Sequence, residues 1–146
     1  MTTPTPDTAM ATAGELRVLL GKLKRRLREE TGSHGLSWSQ VAVLGHLERD
    51  GSKTVTELAE LEGVRQQSMG ATVASLETAG LLKGAPHPTD GRRTMLSLTS
   101  KARALIKASR TAREDWLFHT IQTRLSAAEQ KKLAVAVELL KRLVEP

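Results

Sequence analysis

Cysteine is absent from the 146 residues, and so is tyrosine. Without thiols there is no disulfide framework, no zinc–thiolate site and no cysteine redox switch. Aromatic residues make up only 2%, too few for the stacking platform on which single-strand binders lay successive bases. No apolar run approaches the roughly 20 residues that a membrane-spanning helix needs. The opening Met1-Thr-Thr-Pro-Thr-Pro-Asp7 has neither the positive nor the apolar segment of an export signal. The expectation is a cytoplasmic, nucleoid-associated protein. Ser-x-x-Lys, Gly-x-Ser-x-Gly and phosphate-cradling glycine loops are missing too, so no enzyme and no cofactor are expected.

What remains is a soluble composition, 39% hydrophobic and 26% charged. One domain is the default at this length, with roughly 68–70% of the unfolded surface available for burial. Net charge is +6 and the isoelectric point near 10.1, which favours polyanionic partners, above all nucleic acid.

Residues 1–12 read as a flexible tail and 13–146 as a single domain. A first helix from about Ala13 to Glu30 carries Leu16, Leu19, Leu20, Leu23 and Leu27 at helical spacing. Gly32, Ser33 and Gly35 break it. Ser37 and Gln40 form a capping box that starts a second helix, which stops at Asp50-Gly51. Thr54 and Glu57 form another, opening a short helix to Glu62-Gly63. The next helix begins near Val64 or Arg65, buries Met69, Val73 and Leu76, and ends at Gly80. Leu81-Leu82-Lys83 and Thr94–Leu98 alternate as strands around Asp90-Gly91, a strong turn signal. A long helix from about Ser100 to Arg124 follows, then a third capping box, Ser126 with Glu129, and a last helix bearing Leu133, Val137, Leu140 and Val144. The first and last helices carry more apolar surface than a small core absorbs. Self-association through Leu16, Leu20, Leu23, Leu133, Val137 and Leu140 would cover it.

A helix-turn-helix followed by a basic hairpin fits duplex DNA twice, with a helix in the major groove and an arginine in the minor groove. On the fourth helix, the face opposite Met69, Val73 and Leu76 carries Gln67, Ser68, Ala71 and Ser75, flanked by Gln66 and Thr72. Glutamine suits adenine, and Ala71 or the Thr72 methyl suits a thymine methyl. Arg65 can reach a guanine or the backbone. Arg92 and Arg93 follow the turn and can enter a narrow minor groove. Ser52, Lys53 and Lys83 are candidate phosphate contacts.

In order and spacing, Leu76-Glu77-x-Ala79-Gly80-Leu81-Leu82, Pro88-x-Asp90-Gly91-Arg92-Arg93 and Leu96-x-Leu98-Thr99 resemble the multiple-antibiotic-resistance regulator (MarR) family of winged-helix transcription regulators, from about Leu16 to Leu143. The resemblance implies a mainly helical fold with a small β-hairpin wing. It assigns 36–99 to a winged helix-turn-helix, with the wing at about 83–98, and assigns 13–35 and 100–146 to dimerisation helices. It implies a homodimeric repressor on an inverted-repeat promoter site, released by a small anionic or phenolic effector. It also implies that Asp90 pairs with an arginine to shape the wing tip, and that an effector pocket involves Trp38, Val41, His46 and Trp116. The four histidines form no metal-binding pair, so no metal is expected. Two departures stand out: Ala71 and Ser75 occupy positions often basic in the family, and Gly70 weakens the helix by up to about 1 kcal/mol relative to alanine. The alternatives are an architectural DNA-binding protein without sequence preference and a winged-helix module for protein interaction.

Overall fold

The three capping boxes all form. Ser37, Thr54 and Ser126 each accept a hydrogen bond from the backbone N–H three residues on, and the Gln40, Glu57 and Glu129 side chains accept one from the cap backbone in return. They open helices α2 (Trp38–Asp50), α3 (Val55–Glu62) and α6 (Ala127–Val144). The computed structural model describes residue 3, residues 5–32 and residues 34–146. The remaining elements are α1 (Pro6–Thr31), α4 (Gln66–Thr78), β1 (Leu82–Pro86), β2 (Thr94–Leu98) and α5 (Ser100–Arg124).

Two units divide the chain. One holds residues 32–109 and the other holds residues 1–31 with 110–146. The unit of residues 32–109 has the core. Val43, Leu44 and Leu47 of α2 meet Leu58 and Ala59 of α3, Met69, Val73 and Leu76 of α4, and Leu82, Leu96 and Leu98 of the hairpin. Leu58, Leu76, Leu96 and Val43 are fully buried, each stabilising the fold by about 1.5–3 kcal/mol. β1 and β2 pair antiparallel, Leu82 opposite Leu98 and Pro86 opposite Thr94. Lys53 adds a one-residue third strand, donating to the Leu96 carbonyl at 3.1 Å and accepting from the Leu96 N–H at 2.8 Å.

In the other unit none of the described residues of α1 or α6 is buried. Arg26 lies over the Trp116 ring at 6.0 Å and pairs with Glu30 at 3.0 Å. Leu19, Leu20, Leu139 and Leu143 are more than half exposed.

The structure corrects three boundaries. The expected tail is helical from Pro6, because Thr5 accepts from the Thr8 N–H at 3.3 Å and proline is at ease in the first helical position. Met1, Thr2 and Pro4 of that tail, and Ser33 of the break after the first helix, lie outside the described residues. The division between the two units falls inside α5, whereas the expected boundary of the C-terminal helices lies before it, at residue 100. Ala102 is fully buried in the core with Leu105 and Ile106 packed against it, so the start of α5 belongs with the hairpin. The first strand runs on past Lys83 to Pro86, pairing with all of β2.

Candidate nucleic-acid interface

The turn between α3 and α4 depends on Gly63, whose left-handed backbone (φ 64, ψ 33) suits glycine. Its N–H closes α3 on Ala59 and Glu60, and Val64 also donates to Ala59 at 3.0 Å. Arg65 then occupies the cap of α4 without a side-chain hydrogen bond. The first amides of α4 are thus left for an external acceptor, the arrangement by which helix N-termini hold phosphates. The other end is fastened. Lys101 donates to the Ala79 carbonyl at 2.8 Å, and Thr99 donates through its hydroxyl to the Gly80 carbonyl at 2.7 Å.

Met69, Val73 and Leu76 are buried as expected. At 100° per residue the opposite face carries Gln67, Ala71, Ala74 and Thr78, all exposed. Ser68 borders it and stays exposed. Three of the expected reading residues are engaged within the chain. Gln66 donates to the Thr56 hydroxyl. Ser75 accepts from Gln40 at 2.9 Å and donates to the Thr72 carbonyl at 2.6 Å. Thr72 is half-buried and donates to the Ser68 carbonyl. The open face is small and uncharged, with Gln67 as its one long polar side chain. Ala74 and Thr78 are absent from the sequence-based expectation, although the same helical wheel contains them.

The wing tip is a built turn. His87 Nδ1 accepts the N–H groups of Thr89 and Asp90, each at 3.2 Å. The His87 N–H donates to the Arg93 carbonyl at 2.9 Å and the Arg93 N–H to the Asp90 carbonyl at 3.0 Å. Asp90 pairs with Arg92, accepting its backbone N–H at 3.2 Å and its Nε at 3.4 Å. The Arg92 side chain is 95% exposed. Arg93 behaves differently. Its Nη2 donates to the buried hydroxyl of Thr54 at 3.2 Å. Glu57, on the same hydroxyl, is held below the usual carboxylate range by the hydrogen bonds from the Thr54 side chain and backbone. The Lys53 and Arg93 charges act in the same direction. Ser52 and Lys83 are exposed, and Lys53 is half-buried.

Between residues 36 and 99 seven acidic residues stand against six basic ones. The positive surplus therefore lies outside the helix-turn-helix and wing, and any attraction for phosphate there comes from placed cations, not bulk charge.

Trp38, Val41 and His46 fall in the unit of residues 32–109 and Trp116 in the other, so neither unit alone assembles the expected pocket. Within its unit His46 pairs through Nε2 with Glu62 at the end of α3. Among the described residues no group of three or more His, Asp or Glu is placed to hold a metal.

Comparison with known proteins gives a consistent result. A model of the MarR family matches residues 34–93. An uncharacterized HTH-type transcriptional regulator of Mycobacterium bovis is 36% identical over 139 residues, 95% of this chain and 96% of that one. The crystal structure of a transcriptional regulator protein from Pseudomonas aeruginosa PA01 superposes with a TM-score of 0.84 at 35% identity, over 98% of this chain and 99% of that one. Wild-type MarR from E. coli, at 20% identity, shares the fold with a TM-score of 0.72 over 99% of this chain and 100% of that one.

Proposed function

Since the chain belongs to the MarR family of HTH-type transcriptional regulators, with its DNA-binding winged helix, we propose that it acts as a two-fold dimer on an inverted-repeat promoter site. Each protomer lays α4 in a major groove and Arg92 in the flanking minor groove. The observation that carries this reading is the pairing of an open recognition face on α4 with an arginine 95% exposed at the wing tip. Gln67 supplies the amide that reads adenine, and Ala71 and Ala74 meet thymine methyls. Arg65, Ser52, Lys53 and Lys83 touch phosphate and set the register.

The dimer rests on α1 and α6, whose exposed leucines and valines need a cover. A two-fold pair sets the reading helices about one DNA turn apart, roughly 34–36 Å. Occupancy of a promoter by such a pair blocks transcription, and a small anionic or phenolic effector that prefers another spacing empties the site by shifting populations. The near-neutral charge of residues 36–99 speaks against an architectural role, because binding without sequence preference depends almost wholly on phosphate neutralisation.

Selection of bound fragments from genomic DNA tests the proposal. A shared inverted repeat, bound in preference to unrelated duplex, is expected. Binding that unrelated DNA competes away at equal concentration would refute it.

A further inference from the structure

We propose that Arg93 is a positioning residue, which fixes the angle of the wing against α3 while its neighbour Arg92 makes the DNA contact. This rests on the reading that wing and α4 engage one duplex.

The two arginines are adjacent in sequence and opposite in surroundings. Arg92 projects from the tip, restrained by Asp90. Arg93 reaches across 39 residues of sequence to Thr54 Oγ1 at 3.2 Å. Thr54 is 3% exposed and is the buried polar residue among the described ones. Its hydroxyl also donates to Glu57 Oε1 at 3.1 Å and accepts the Glu57 N–H at 3.2 Å. The Arg93 guanidinium therefore ends on the group that starts α3, beside a carboxylate.

A second tie makes this a matter of angle. The backbone bridge between Lys53 and Leu96 pins the middle of β2 to the residue just before Thr54. That bridge and the buried Leu82, Leu96 and Leu98 hold the base of the hairpin, and the tip beyond Leu96 is left to be fixed. Arg93 lies three residues toward the tip, about 10 Å along the strand. Two attachments at that separation define a direction. Since Thr54 also starts the helix that leads through Gly63 into α4, wing and recognition helix share one reference point. A wing held in advance loses less freedom when DNA binds.

The test measures affinity for the selected operator across a salt series, for wild type, Arg92→Ala, Arg93→Ala, Thr54→Ser, Thr54→Val and the Arg93→Ala/Thr54→Val pair. Arg92→Ala is expected to weaken binding and to reduce the salt slope by about two, one for the cation removed from each wing of the dimer. Arg93→Ala is expected to weaken binding on the order of tenfold per wing, the worth of one hydrogen bond to a charged group in each protomer, with the slope unchanged. Thr54→Ser keeps the hydroxyl and should bind as wild type. Thr54→Val should match Arg93→Ala, and the pair should be no worse than the weaker single. NMR relaxation of residues 87–93 in the free proteins supplies a readout that needs neither DNA nor a folded Thr54 variant. Arg93→Ala should loosen them and Arg92→Ala should loosen them less. An Arg93→Ala slope as low as that of Arg92→Ala, or an unchanged wing in the free variant, overturns the proposal. A wild-type protein that binds no duplex overturns the functional reading instead.

Discussion

Gln67 stands alone on the recognition face as a long side chain able to pair with a base edge, because Gln66 is tied to Thr56 and Ser75 to Gln40. Replacing Gln67 with alanine should relax preference at one position per half-site by about 1–3 kcal/mol. Binding to a set of single-base operator variants measures this. A uniform loss over all variants would mean a backbone contact. Glu57 gives a pH signature. Its carboxyl is held below the ordinary 4.5 by Thr54, Lys53 and Arg93. A group depressed in the folded state contributes stability above its unfolded value, and the contribution disappears as pH falls through the folded value. The difference in melting temperature between wild type and Glu57→Gln should therefore be constant near neutrality and shrink below about pH 4.5. A difference that grows on acidification would contradict the assignment.

Helix starts are legible in the sequence because they are local. Ser37 with Gln40, Thr54 with Glu57 and Ser126 with Glu129 need only four residues each, and all three open helices where expected. The stripe Met69, Val73, Leu76 is equally visible, since 3.6-residue periodicity does not depend on what covers it. The start of α1 is not, because a Thr-Pro run resembles a tail until Thr5 is seen capping it. Contacts between distant segments are hidden as well. Arg93 meets Thr54, and His46 meets Glu62, only after strand register and helix packing are set. Gly84 belongs to the same class. A Cβ there would stand 2.7 Å from Thr94 Cγ2 across the hairpin, so any side chain at this position has to displace the Thr94 methyl. Gly84→Ala should cost about 1–3 kcal/mol by overpacking, read as a lower denaturant midpoint. An unchanged midpoint would show that Thr94 moves aside freely.

For the molecule as a whole, the proposed assembly rests on the apolar surface of α1 and α6. Leu20 is 53% exposed, Leu139 53% and Leu143 69%, far from the burial leucine normally finds. Leu16 and Leu133, also expected at the interface, are half-buried already, so Leu139 and Leu143 are better probes than either. Leu139→Asp should yield monomers by sedimentation velocity, with operator affinity falling in parallel. A variant that stays dimeric would move the interface elsewhere. The charge distribution points the same way. With residues 36–99 close to neutral, the proposed dimer would gain by effective concentration what a single head with so little net positive charge lacks.

The unequal ends of α4 carry a final consequence. Lys101 and Thr99 anchor the carbonyls that follow its last turn, while Arg65 leaves its first amides uncapped. An aspartate in place of Arg65 would complete the helix and stabilise the free protein by about 1 kcal/mol. On the proposed reading it would also set a carboxylate where a DNA phosphate is expected to sit, and so weaken operator binding. Arg65→Asp should therefore raise the melting temperature and lower operator affinity together, a pairing that a merely structural role for Arg65 would not give.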